Sequence, residues 1–497
     1  MVRTRMEGDV DAMSPARDDE LDGEHSDSLT ARVRRSLGWS LTNNVLARLG
    51  NMVSGIVLAR LLVPEEYGVF ATGMVVLTAA LSMNELGVSL AIIRWPSGVD
   101  RIAPTVVTLA ATWSTALFVI AYLGAPGFAS ALGAPDAATL IRVMAACILI
   151  DGLATVPAAL MTRLFMQKQR MIVDLMGFVL GTTLTLVLAF SGAGAWAMVW
   201  GLVLTNVVTG VLAIVIAPRR YMPGFRLDVA RELLAFGMPL AGASLLMFLM
   251  LNVDYVVVGS ELDTEALGLY LLAFNLASWP VSLISVAVRR VSLAGFSRLA
   301  ADPDRAAHGF ARAAALVMAV SLPMCALMAL YAVPGITLLY GERWLPAADA
   351  LRFLSVLAAG RVAMELVYDF LVAMGRGRTN LWIQVLWVLL LAPALVIGAR
   401  LDGIRGVSAG HAAVTIVMLI VGILAVRTSS VRLRVLAGEC VRPVLATALL
   451  AVSAWPVLTF VQGAVPSVLL GAAIAAAVYV PIVLPLGRAF LRGGHHA

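Results

Sequence analysis

Charge is scarce in this chain. Of its 497 residues, 13% are Asp, Glu, Lys or Arg and 61% are hydrophobic, and mean hydropathy is +0.92. A soluble domain carries roughly a quarter charged residues, so a water-soluble globular fold is excluded. Cysteine is nearly missing too. Cys147, Cys325 and Cys440 form no C-x-x-C pair and no metal-ligand spacing; they read as small apolar residues, not as a disulfide frame or a metal site. No G-x-x-x-x-G-K-[S/T] loop is present to cradle ATP phosphates. Stretches between apolar segments stay under about 25 residues, which leaves no room for a catalytic domain. Four of the five histidines lie near a chain end or in a loop, and the fifth, His411, has no evident partner. The pI near 9.5 does not indicate nucleic acid, because the arginines sit in short loops with no interleaved aromatics.

What the chain does have is long apolar runs. Fourteen segments can be marked off, near 37–60, 68–93, 104–123, 138–160, 171–191, 194–217, 234–258, 266–288, 310–333, 348–373, 379–399, 404–426, 440–461 and 465–486. A helix needs about 20 residues to cross a bilayer. The expected fold is an all-α polytopic membrane protein of about 14 transmembrane helices. Residues 1–36 carry nine acids and six arginines and no apolar run, which predicts a disordered acidic tail and no cleavable signal peptide. Arg32, Arg34 and Arg35 abut the first span and read as an anchor at an anionic membrane surface.

Lys and Arg are unevenly shared between the two sets of loops. One set holds 22 without the tail, the other six. Because cytoplasmic loops hold the excess, both termini are expected in the cytoplasm. The chain also repeats itself. Pro64-Glu65-Glu66-Tyr67-Gly68-Val69-Phe70 returns as Thr264-Glu265-Ala266-Leu267-Gly268-Leu269-Tyr270, with the glycines 200 residues apart. Leu37-Gly38 matches Phe236-Gly237, Asp100-Arg101 matches Asp304-Arg305, and Ala138 to Arg142 resembles Ala348 to Arg352. Two six-span lobes follow, 37–232 and 233–430, with two additional spans and a short tail in 431–497. Six is even, so the repeats are parallel, an arrangement that places a path between two rocking halves.

Some spans carry polar groups, which are costly in hydrocarbon and normally face a bundle interior or a wet cavity. Asn44, Arg48 and Asn51 fall at i, i+4 and i+7 on one face of the first span. Glu85 lies on the second span and Asp151 on the fourth; Arg48 is either a cavity cation or the structural partner of one of them. The seventh span carries Asn252 and Asp254, which do not share a face. Asp254 is either a gating or ion-coupling carboxylate or a fixed inter-helix contact. The tenth span carries Arg361, Glu365 and Asp369 at i, i+4 and i+8; Arg361 can pair with Glu365, leaving Asp369 without a local partner.

Three stretches carry a family resemblance. They are Ala59-Arg60-Leu61-Leu62-Val63-Pro64-Glu65-Glu66-Tyr67-Gly68, Leu339-Tyr340-Gly341-Glu342-Arg343-Trp344-Leu345-Pro346-Ala347-Ala348, and Ala373-Met374-Gly375-Arg376-Gly377-Arg378-Thr379. In this order and at these spans they resemble the bacterial lipid-linked oligosaccharide flippases of the multidrug/oligosaccharidyl-lipid/polysaccharide exporter superfamily. The resemblance runs from residue 37 to about 430. It implies two six-helix lobes, alternating access, and translocation of a polyprenyl-diphosphate-linked oligosaccharide from the cytoplasmic to the outer leaflet of the bacterial inner membrane. Arginine suits a diphosphate and asparagine suits sugar hydroxyls. Asn44, Arg48, Asn51, Asn252 and Arg361 are therefore the expected substrate-binding residues. Glu85, Asp151, Asp254, Glu365 and Asp369 are the expected ion-coupling or gating carboxylates. Membrane lipids, H+ or Na+, and polysaccharide assembly proteins are the remaining expected partners; no cofactor and no metal is expected. An ion-coupled drug or cation antiporter of the same superfamily is the alternative, with a membrane polysaccharide polymerase behind it.

Overall fold

Backbone in hydrocarbon must satisfy its own N–H and C=O groups, and a helix does so within one segment. The computed structural model describes residues 48–84, 92–93, 99–299, 302–428 and 431–493, and the elements there are helical. In order they are α1 (48–61), α2 (Pro64–Asn84), α3 (Val99–Ala131), α4 (Ala138–Arg163), α5 (Gln167–Phe190), α6 (Ala195–Ile216), α7 (Leu227–Glu261), α8 (Thr264–Leu299), α9 (Pro303–Leu330), the short α10 (Ala332–Leu339), α11 (Ala347–Ala373), α12 (Gly377–Arg427), α13 (Leu433–Phe460) and α14 (Ala464–Gly493). Among the described residues, nine helices are apolar and long enough to cross a membrane. The all-α polytopic architecture expected is the one present; the figure of fourteen spans stays a proposal.

Local sequence explains several boundaries. Pro64 opens α2, where a missing N–H costs nothing, and Glu66 reaches back to accept from the Val63 N–H (3.0 Å). The matching start, α8, is capped by Asp263, which accepts from the Ala266 N–H (2.7 Å). The α12 segment turns back at Asp402 and Gly403 (φ 53°). Its two arms then pack backbone to backbone, Gly398 against Gly406 and Gly410 against Ala394. The α5–α6 pair is built on a similar small-residue seam. Gly177 and Gly181 face Thr205, and Gly201 faces Thr185. These threonine hydroxyls bond carbonyls of their own helices, so the seam buries no orphan donor there.

The two copies meet along α2 and α8. Gly68 lies against the Thr264 carbonyl, and Gly268 lies against the Pro64 carbonyl. With a 200-residue offset, Thr264 is the equivalent of Pro64 and Gly268 of Gly68, so the two contacts are copies of each other. Reciprocal contacts of this kind mark a pseudo-two-fold axis between the copies. They sit at the arginine-poor end of the bundle.

At the arginine-rich end the linker between the copies is stitched to α3. Arg219 donates to Asp100 (3.0 Å), Arg101 pairs with Asp228 (3.5 Å), and the Gly224 N–H donates to the Pro104 carbonyl (3.2 Å). The first turns of α7 continue the contact, where Val229 and Leu233 pack with Ile102, Val106 and Leu160. The helices outside the repeat, α13 and α14, pack on each other and on α9.

Candidate functional site

The intramembrane charges fall into two groups. In the first copy, Arg48 is half-buried on α1 and Asn51 is exposed. Two residues after Arg48, Gly50 fits against the Phe178 ring of α5, which places this end of α1 over α5. Asn44 and Glu85 lie outside the described residues. The expected pair of Arg48 with Asp151 is not formed. Asp151 instead accepts from the Asn84 amide of α2 (2.7 Å), because α4 turns its carboxylate toward α2 rather than α1. Asp151 also lines a cavity of about 140 Å³ between α4, α5 and α6, together with Arg170, Asp174, Asn206 and Thr209. That cavity lies within one lobe. Asn84 is nearly fully buried, and its amide oxygen has no partner among the described residues.

In the second copy, Asp254 is fully buried. It accepts from the Tyr270 hydroxyl (2.9 Å) and from the Tyr255 N–H (3.0 Å). Of the two readings open for Asp254, this geometry supplies the inter-helix contact, joining α7 to α8. Asn252 is half-buried and spends one amide hydrogen on the Phe248 carbonyl of its own helix (2.9 Å). Arg361 of α11 lies in the crevice between α8 and α11, with its guanidinium over the Phe274 ring at 5.9 Å. A cation on an aromatic face keeps its donors available to a further ligand. Arg361 is also within electrostatic range of Asp254, Tyr270 and His411. Asp369, expected to lack a local partner, is engaged, and so is Glu365. Tyr270, Phe274 and His411 join this cluster, and no sequence spacing points to them. His411 is buried with its Nδ1 unpartnered among the described residues.

Two of the three stretches that carry the family resemblance, the first and the second, meet in space. The Trp344 indole N–H donates to the Ala59 carbonyl (2.6 Å), and its ring meets Tyr67 edge-on at 5.0 Å. Arg60 Nε donates to the Leu339 carbonyl (2.9 Å), and its Nη2 to Leu338. The first motif therefore grips the second across the lobe boundary. On the opposite side of the pseudo-axis, Gly133 (φ 68°) lies 2.6 Å from the Gly259 carbonyl, measured from where its Cβ would be. Residue 259 is the repeat equivalent of Ala59. The two lobes are thus sealed at the arginine-poor end by two crossed contacts.

A duplicated helical bundle, sealed at one end and carrying half-buried arginines and buried carboxylates among its helices, defines a multi-pass membrane protein of the transporter type. The chain belongs to the family described as polysaccharide biosynthesis protein, whose model matches residues 57–349. It is 25% identical over 383 residues to the succinoglycan biosynthesis transport protein ExoT of Rhizobium meliloti (strain 1021), covering 75% of each chain. It is 24% identical over 399 residues to the lipopolysaccharide biosynthesis protein WzxC of Escherichia coli (strain K12), covering 78% of this chain and 80% of that one. Among solved structures, the lipid II flippase MurJ in an inward closed conformation shares the fold. Its TM-score is 0.76 at 13% identity, over 92% of this chain and all of that one. A multidrug resistance transporter of the MATE family, inward-facing, gives 0.60 at 19% identity, over 78% and 97%.

Proposed function

We propose that this chain flips a polyprenyl-diphosphate-linked oligosaccharide across the bacterial cytoplasmic membrane, by alternating access, for assembly of a surface polysaccharide. The observation that carries the reading is the crossed, pseudo-symmetric seal between two lobes in a member of the polysaccharide biosynthesis family. Two parallel lobes joined in this way can part at one end and close at the other. With the arginine-rich loops and both termini in the cytoplasm, the seal lies on the outer side and the described state faces inward. The lobes correspond to 37–232 and 233–430, followed by the two helices of 431–497. The names of the relatives, a succinoglycan transport protein and a lipopolysaccharide biosynthesis protein, support the same substrate class.

A diphosphate cannot cross hydrocarbon uncompensated. Arg48 and Arg361 supply the permanent charge and forked donors it needs. Asn44, Asn51 and Asn252 supply groups for sugar hydroxyls. Glu85, Asp151, Glu365 and Asp369 are the carboxylates through which H+ or Na+ drives the cycle, while Asp254 holds α7 to α8. No bond of the substrate is made or broken. An ion-coupled drug or cation antiporter is the second reading, favoured by the likeness in fold to the MATE transporter.

The test is export of polymer from cells carrying Arg48→Ala or Arg361→Ala. Each variant is expected to abolish surface polysaccharide while leaving the protein in the membrane. Arg48→Lys is expected to keep partial export, because charge survives and the bidentate fork does not. Normal polymer output from both alanine variants would refute the assignment.

A further inference from the structure

The two helices outside the repeat have no part in the six-plus-six plan, yet they reach the seal. Their route is the short helix α10. Its first end is held by Tyr331, the residue before it. Tyr331 is buried, and its hydroxyl donates to the Ala454 carbonyl of α13 (2.7 Å). The hydroxyl end of its phenol sits on Gly471 of α14, where any Cβ would strike it. A second hydroxyl fixes the pair from the other direction, since Tyr479 of α14 donates to the Ala319 carbonyl of α9 (2.8 Å). The other end of α10 is held by the first lobe, where Arg60 caps the Leu338 and Leu339 carbonyls. A cation there also meets the negative end of the helix dipole. The Tyr331 carbonyl accepts from the Gly335 N–H (2.8 Å), so the two anchorages are joined by one helical turn and the few residues after it.

We propose that Tyr331 and Arg60 are positioning residues for the lobe movement, and that α13 and α14 are the brace that sets how firmly the outer end is shut. The inference rests on the transport reading for its purpose, but not for its test. A strut held at both ends transmits load; released at either end, it transmits none. Loss of Tyr331's hydroxyl and loss of Arg60 therefore loosen the same contact, and the second loss adds little to the first.

The experiment uses full-length protein in lipid nanodiscs, where both faces are open to reagent. Cys147, Cys325 and Cys440 are replaced by alanine, and a single reporter cysteine is read with a charged maleimide. Ala71→Cys reports the seal, being buried on α2 one turn beyond Gly68. Ala159→Cys, buried in the cluster at the arginine-rich end, reports general loosening. Tyr331→Phe and Arg60→Ala are each expected to speed labelling at position 71 about fivefold, as loss of one or two hydrogen bonds would give. The double variant should label no faster than the faster single variant, and labelling at 159 should not change. Unchanged labelling at 71 in Tyr331→Phe overturns the proposal. So does a multiplicative double variant, or an equal rise at 159. Whether the chain exports lipid-linked sugar is decided separately by the arginine variants above, so one reading can fail without the other.

Discussion

The two sides of the seal share a backbone plan and differ in their side chains. On one side a loop glycine, Gly341 (φ 97°), sets up the turn that seats Trp344 on the end of α1. On the other a loop glycine, Gly133 (φ 68°), sets its own backbone against the end of α7. The first contact is a fully buried indole, an edge-on tyrosine and a two-point arginine cap. The second is close backbone approach with Leu132 beside it. The comparison teaches that duplication preserved the geometry of contact while the chemistry was loaded onto one side. A seal built this way has a strong side and a weak side about the same axis.

The largest effect is expected at the axis itself. Gly68→Leu and Gly268→Leu each drive a side chain into a backbone carbonyl of the other lobe, which cannot swing aside. Overpacking of this kind costs about 1–3 kcal/mol or more, and both variants should lose polymer export to the same degree. Damage from one alone would break the equivalence of the two glycines. Next comes the strong side. Trp344→Ala empties a fully buried site and should cost about 3–5 kcal/mol, read as a lowered midpoint of thermal unfolding in detergent. Trp344→Phe keeps an aromatic ring but loses the bond to Ala59 and part of the buried volume, and should cost less than Trp344→Ala. If Gly133→Ala on the weak side lowers the midpoint more than Trp344→Ala does, the ranking of the two sides is reversed.

The smallest effect is a pH dependence beside the weak side. Arg400 donates to both carboxylate oxygens of Glu261 (2.8 and 3.0 Å) and holds that carboxyl below its ordinary range. A carboxyl lowered on folding contributes stability above its unfolded value, near 4.3 for Glu, and loses the contribution as pH falls through the folded value. The pair is solvent-exposed, so Glu261→Gln should lower the unfolding midpoint slightly at neutral pH. In acid below the carboxylate range the wild type and the variant should coincide. A gap that persists there would assign the effect to packing instead of charge.

Much of the plan was legible before any coordinates. Unbroken apolar runs of about 20 residues give helices because a helix satisfies its own backbone in lipid, and the Gly68 and Gly268 stretches give the duplication. Partners across helices were not legible. Periodicity tells which face a residue occupies, not which helix lies opposite. Asp151 could thus be placed on α4, but its Asn84 partner could not be chosen over Arg48. Asp254 and Tyr270 are 16 residues apart on successive helices, and no local pattern joins them. Arg361 was visible as a costly cation, whereas the Phe274 face beneath it depends on the angle between α8 and α11. Asn44 and Glu85 lie outside the described residues.

The grip of Arg60 and Trp344 across the lobe boundary bears on how such chains can be recombined. The first motif lies on one half of the chain and the second on the other, each shaped to receive its counterpart. A chimaera that joins the first half of this chain to the second half of a distant relative inherits mismatched halves of a clasp. Exchanging residues 59–68 and 339–348 together, as a matched set, is the transplant that keeps the clasp whole.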